Sequence, residues 1–152
     1  AIIGGEIYDT KDGGGFGDEL KNQAACLGIS KKVHFTGFLE DSARALNGLD
    51  ILVHASTRPE PFGRVIVEAL ACGVPVVASA AGGVLEIIRD EKNGLLFAPG
   101  QDDALAAAVR RLASDRDLRK RLAAEGRADF LSRFSIDRHL RSVEDVYRGI
   151  LG

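Results

Sequence analysis

Short apolar runs alternate with longer amphipathic ones along this chain, a pattern that predicts stacked βα units. Ile2-Ile3 reads as the end of a strand closing at Gly4-Gly5, and a polar, glycine-rich connection follows through Asp12-Gly13-Gly14-Gly15-Phe16-Gly17. From Asp18 to Leu27 the spacing is helical, with Leu20, Ala24 and Leu27 on one face and Gly28 in a favourable capping position. Val33-His34-Phe35 is the next short strand, closed by Thr36-Gly37-Phe38. A short helix is expected from Asp41 to Asn47, with Ala43 and Leu46 facing inward.

Asp50-Ile51-Leu52-Val53-His54 is apolar without alternation, as expected of a strand buried on both faces. Val65 to Cys72 is helical and stops at Gly73; Pro75 to Ser79 is a second buried strand, with its proline at the tolerated first position. Leu85 to Arg89 makes a short helix and Gly94 to Phe97 a last strand. Beyond Pro99 come amphipathic helices over 102–113 and 115–124, then a terminal one from Ile136 to Leu151. The arginines of 110–127 are interleaved with Leu and Ala, which reads as a solvated face. Alternating strands and helices imply an α/β, Rossmann-like doubly wound parallel sheet, with helices added at the C-terminal end. Ligands bind such sheets at the carboxyl ends of the strands, which directs attention to the loops at 4–17, 36–40, 55–64 and 79–84.

Composition narrows the classes. A chain of 152 residues, 45% hydrophobic and 28% charged, reads as one soluble globular domain. A net charge of -2 and a pI near 5.9 point away from a nucleic-acid binder. No window approaches the ~20 apolar residues of a membrane span, and no secretory leader opens the chain. Cys26 and Cys72 sit in apolar, helix-like contexts and read as small core residues rather than a disulfide or metal site, which suits a reducing cytoplasm. There is no methionine, and the chain opens abruptly in strand-like residues. The expectation is the remainder of something longer, with loss of an initiator before Ala1 as the other account.

The third loop carries the most chemistry. Ser56 to Gly63 leaves a buried strand and feeds directly into a helix, and Gly63 permits close backbone approach. The first-turn amides of Arg64, Val65 and Ile66 lack helical acceptors, so they can face an anion with the helix dipole behind them. Glu60 precedes the helix and Glu68 lies about one turn inside it, both within reach of one crevice. Carboxylates accept hydrogen bonds from vicinal hydroxyls, so two acids flanking an anion-binding turn describe hydroxyls, phosphates and hydroxyls in succession. A nucleotide sugar has that layout. On spacing alone, an ordinary surface glutamate and a helix N-terminal glutamate account for the pair equally well.

The other loops are less specific. Ser79-Ala80-Ala81-Gly82-Gly83 places small residues between a strand and a helix, either for a ligand or simply for a tight turn. Gly37-Phe38 could face a base, or be a turn glycine beside a core phenylalanine. The first loop lacks a GxGxxG running from strand into helix, and GxxxxGK[ST] is absent. Of the scattered histidines, His54 alone ends a strand near the crevice, where a hydrogen-bonded structural role is the alternative. No Cys/His spacing suggests zinc.

Taken in order, these motifs resemble one family. Glu60 and Glu68 look like the E-x7-E motif of retaining GT-B glycosyltransferases, the group of glycogen synthase and sucrose synthase relatives. Leu27-Gly28-Ile29, Val33 to Phe38, Leu49 to Val53 with Ser56, Pro59 to Gly63, Glu68 to Ala78, Gly82-Gly83 with Glu86-Ile87, and Asn93 to Phe97 are similar to it too. So are the helix pair and Phe134-Ser135, so the likeness covers essentially the whole chain.

The resemblance implies the C-terminal, donor-binding half of a GT-B fold. It gives Glu60 the donor-sugar hydroxyls in the catalytic site and Glu68 the ribose. The backbone of Phe62, Gly63 and Arg64 would face the sugar, the amides of Val65 and Ile66 the diphosphate, and Gly37-Phe38 the base. It implies no metal and no cofactor, a UDP-, GDP- or ADP-linked sugar as donor substrate, retention of configuration, and a cytoplasmic protein that could sit peripherally at the inner membrane surface. An epimerase or phosphorylase of the same fold and a non-catalytic nucleotide-binding module are the alternatives. The family's N-terminal acceptor domain is missing from these residues, as are the first strand and helix of the donor domain. With a strand order of 3-2-1-4-5-6 that strand is central. The expectation is therefore a fragment completed by the N-terminal domain or by another chain, and inactive alone.

Overall fold

The computed structural model describes residues 1–4 and 15–151, in two units, Ala1–Ala45 and Leu46–Gly152. In the first, helix α1 (Phe16–Cys26) begins two residues before the expected start, with Asp18 and Glu19 favouring its positive end. It ends one residue short of the expected Leu27, ahead of the expected glycine cap. Gly28 takes φ +67°, its N–H bonds Ala25 O at 3.0 Å, and the Ile29 N–H bonds Ala24 O at 2.9 Å. Ala24 is buried, but Leu27, beyond the helix, is 65% exposed. Cys26 is exposed rather than in a core, because two residues beyond Ala24 is about 200° around the helix.

The expected strands Ile2-Ile3 and Val33–Phe35 reduce to a single parallel bridge between Ile2 and Phe35, with a Gly4–Gly37 bridge beside it. Gly37, at φ +66°, turns the chain out of the extended conformation two residues after Phe35. Most of the glycine-rich connection expected at 4–17, including Gly13-Gly14, lies outside the described residues. Helix α2 (Ser42–Asn47) is capped by Asp41, whose Oδ1 accepts the Arg44 N–H at 2.8 Å. Leu46 is buried as expected; Ala43 is exposed, since a helix of under two turns presents only one position inward.

The second unit holds three parallel strands, β1 (Leu52–His54), β2 (Val76–Ser79) and β3 (Leu95–Phe97), in that order. Val76 and Ala78 of β2 pack on one face with Ile66, Ala69 and Leu70 of α3 (Arg64–Cys72) and Val84 and Ile87 of α4 (Val84–Ile87). Val77 packs on the other with Leu112 of α5 (Asp102–Ser114) and Leu118 and Leu122 of α6 (Arg116–Asp129). Both faces of β2 are thus covered, as the doubly wound class predicts. Each of these large aliphatic side chains contributes roughly 1.5–3 kcal/mol by leaving water.

Strand β1 departs from expectation. Val53 is 42% exposed, because β1 is an edge among the described residues and α5 packs on β2 and β3. Helix α6 runs five residues past its expected end at 124, through Gly126. A Cβ there would lie 2.7 Å from Leu70 Cδ2, so this glycine lets α6 approach α3 closely. A π-helical turn, Phe130–Phe134, then leads to α7 (Ile136–Leu151). The arginines of 110–127 are exposed as expected, save half-buried Arg119, and two of them also tie off helix ends. Arg119 donates to Leu112 O at 2.7 Å, and Arg127 donates to Ala71 O at the end of α3. Among the described residues, no helix is long and apolar enough to cross a membrane.

Candidate functional site

Leaving β1, the loop 55–63 is held against the turn that follows β2. Glu60 and Gly82 form a parallel bridge, and the Gly83 N–H donates to Glu60 O at 2.8 Å. The fit depends on two glycines. A Cβ at Gly82, where φ is +59°, would lie 2.3 Å from Glu60 O; one at Gly83 would lie 2.6 Å from Pro61 O. The fourth loop of the sequence is therefore the seat on which the third rests.

Gly63, buried and at φ +92°, begins α3 in a left-handed conformation that side chains rarely adopt. Its carbonyl accepts the Ile66 N–H at 2.9 Å. Here the expectation is corrected: the Ile66 amide is taken and its side chain is fully buried, because the αL start tightens the first turn. Among the described residues, the amides without an acceptor at this end are those of Arg64 and Val65, with the dipole of α3 behind them.

The two acids occupy different environments. Glu60 is half-buried, and its Oε2 lies 3.8 Å from His54 Nε2. Glu68 lies about 6 Å along the helix axis from Arg64, at 1.5 Å per residue. Its Oε1 is 3.7 Å from Arg64 Nη2, an exposed pair of the i,i+4 kind. Phe62 is 44% exposed and meets Phe134 edge-on, with ring centroids 6.4 Å apart.

The structure thus brings Glu60, Phe62, Gly63, Arg64, Val65 and Glu68 together in the second unit. Gly37 and Phe38 belong to the first. Phe38 is 59% exposed, and Gly37 lines a cleft of about 340 Å³ with Gly4, Gly15, Gly17 and Phe35, counting described residues.

Two groups exceed the sequence reading. His54 Nδ1 and Ser79 Oγ are buried at the carboxyl ends of β1 and β2 without hydrogen-bond partners among the described residues. His54 was visible as a strand-end histidine near the crevice, but its approach to Glu60 depends on how the loop folds back. Ser79 carried no distinguishing signal, being one small residue in a small-residue turn.

A parallel α/β sheet with helices on both faces is an architecture found in GT-B glycosyltransferases. The chain belongs to the Glycosyl transferases group 1 family, whose model matches residues 1–129. It is 34% identical over 134 residues to the lipopolysaccharide core biosynthesis glycosyltransferase LpsE of Rhizobium meliloti, covering 88% of this chain and 38% of LpsE. It is 40% identical over 129 residues to the D-inositol 3-phosphate glycosyltransferase of Salinispora arenicola, covering 82% and 28%. Among solved structures, Anabaena HepE in complex with UDP matches with a TM-score of 0.90 and 33% identity, over 97% of this chain and 40% of that one. The chain therefore spans well under half the length of these relatives.

Proposed function

We propose that this chain forms the donor-binding part of a retaining glycosyltransferase, and that UDP-linked sugars are the donors to test first. The observation that carries the reading is the Glu60–Gly82 bridge beside an αL helix start. It sets a half-buried carboxylate next to the open Arg64 and Val65 amides. Glu60 would accept hydrogen bonds from sugar hydroxyls and Glu68 from the ribose, while the two amides and the α3 dipole bind the diphosphate. The backbone of Phe62 and Gly63 lies alongside the sugar. Gly37 and Phe38, in the first unit, are proposed as base contacts. HepE has been solved with UDP-glucose as well as UDP, which is why uridine donors come first.

Binding by amides and a helix end requires no metal or cofactor, so donor affinity should be the same with and without EDTA. Retention would follow from a front-face reaction in which the leaving phosphate assists the acceptor, the family's proposed mechanism. The transferase names of the relatives give the epimerase and phosphorylase readings no support. In the parent protein, further chain would cover the β1 edge and the apolar face of α7 and supply the acceptor site. The parent is proposed to be cytoplasmic and peripheral at the inner membrane surface.

Calorimetric titration of UDP-, GDP- and ADP-sugars into this chain and into Glu60→Ala and Glu68→Ala tests the reading. A ligand at 100 times its Kd also stabilises by about 2.7 kcal/mol, visible as a thermal shift. Loss of binding in both variants with the fold intact supports the donor site. Undiminished binding in both would refute it.

A further inference from the structure

The donor loop is braced from behind by a segment far along the chain. Phe134, the last residue of the π-helical turn, meets Phe62 edge-on at 6.4 Å, with the rings inclined at 71°. The same ring also carries a cation: Arg133 Cζ lies 4.7 Å from the centre of the Phe134 ring. Arg133 is anchored in turn. Its guanidinium donates to Glu86 O and Ile87 O at the end of α4 and lies 3.7 Å from Asp129 Oδ2. Asp129 also binds Arg89 and the Asn93 amide. Adjacent residues of one turn therefore reach two parts of the site. Phe134 touches the loop that carries Glu60, and Arg133 ties off α4, the helix entered from the Gly82-Gly83 seat. A π-helical turn is an energetically poor local choice and is often kept where function needs the extra residue.

We propose that Phe134 is a positioning residue for the donor loop. With Arg133 clamping its ring, it holds Phe62 so that Glu60 stays seated on Gly82-Gly83 and the α3 amides stay open to the diphosphate. The inference rests on the donor-site reading, and its first test does not depend on ligand. Phe134→Leu keeps an apolar side chain against the core but removes both ring contacts, whereas Phe134→Tyr keeps the ring. Hydrogen exchange is followed at the Gly83 amide, which bonds Glu60 O, with the β2 amide of Val77 as reference.

With the aromatic contact removed, Gly83 exchange should accelerate about five- to tenfold in the leucine variant, the size expected of an aromatic pair, with Val77 unchanged. Tyrosine should restore it. Equal Gly83 protection in wild type and Phe134→Leu would overturn the proposal, as would acceleration spread equally to Val77. UDP-glucose titration is the second arm: affinity should fall in parallel in the leucine variant and return with tyrosine. Unchanged affinity despite a loosened loop would also overturn it. If wild type binds no nucleotide sugar, the donor-site reading fails, while the exchange data still decide whether Phe134 holds the loop.

Discussion

The Asn93 side-chain amide donates to Asp129 Oδ2 at 2.7 Å, joining the turn before β3 to the end of α6. Asn93 is fully buried; its amide also donates to Ile87 O at 3.0 Å, and its oxygen accepts the Arg89 N–H at 2.7 Å. One side chain thus satisfies two backbone groups at the α4 end of the α4–β3 turn while donating to a nearly buried carboxylate. Replacing Asp129 by Ala takes away one of the two acceptors of the buried Asn93 amide, while the half-exposed Arg89 guanidinium is returned to water, which should cost about 1–3 kcal/mol. Urea denaturation of the variant measures this, and a loss below 1 kcal/mol would show that the network carries little.

The glycine seat yields a second expectation. Gly82→Ala places a Cβ 2.3 Å from Glu60 O in a residue already at φ +59°, so the loop must move away. Overpacking and backbone strain of this kind cost about 1–3 kcal/mol. UDP-sugar binding should fall at least as far as in Glu60→Ala, because the whole loop leaves its seat. Gly100→Ala serves as a comparison, since φ +72° makes it strained but nothing lies within 4 Å of its Cβ. That variant should lose some stability and keep its binding.

The alternating pattern made the α/β class and the burial of β2 legible, because β2 lies between neighbours on both sides and helices on both faces. Element ends depended on local chemistry that is easy to read, such as the αL glycines after α1 and α3. What the pattern missed was long-range. The exposure of Val53 depends on whether a strand lies beyond β1, and no local window reports that. The roles of Arg119 and Arg127 as caps, and the free amides shifting to Arg64 and Val65, depend on where carbonyls fall in three dimensions. The Glu60–Gly82 pairing spans residues that read only as two separate loops.

Glu91 offers a test of pH dependence. The hydrogen bond from Arg111 holds its carboxyl below the ordinary value of 4.5, against a smaller opposing effect of desolvation. A depressed folded value means the contribution is present above pH 4.5 and disappears as pH falls through the folded value. The pair is about half exposed, so the effect is small. Comparing urea midpoints of wild type and Glu91→Gln, the gap should be constant above about pH 5 and narrow as pH falls below the ordinary value of 4.5. A gap that widens or stays constant as pH falls below 4.5 towards the acid limit of folding would rule out this pairing as the cause.

Helix α7 tests the proposal that further chain covers this one. Ile136, Leu140, Val143, Tyr147 and Ile150 recur at helical spacing, yet Val143, the least exposed, is still 38% open and Ile150 is 73% open. A stripe this open buries little apolar surface against the described residues. Leu140→Glu should therefore change the stability of this chain by less than about 0.5 kcal/mol, as surface substitutions do, and should raise its solubility. In the full-length parent the same substitution would place a charge in a covered apolar contact and should cost about 2 kcal/mol or more. Denaturation of both proteins with and without the substitution decides it. A large loss in the isolated chain would mean that α7 packs on its own unit, and no loss in either protein would mean that the stripe stays open to solvent.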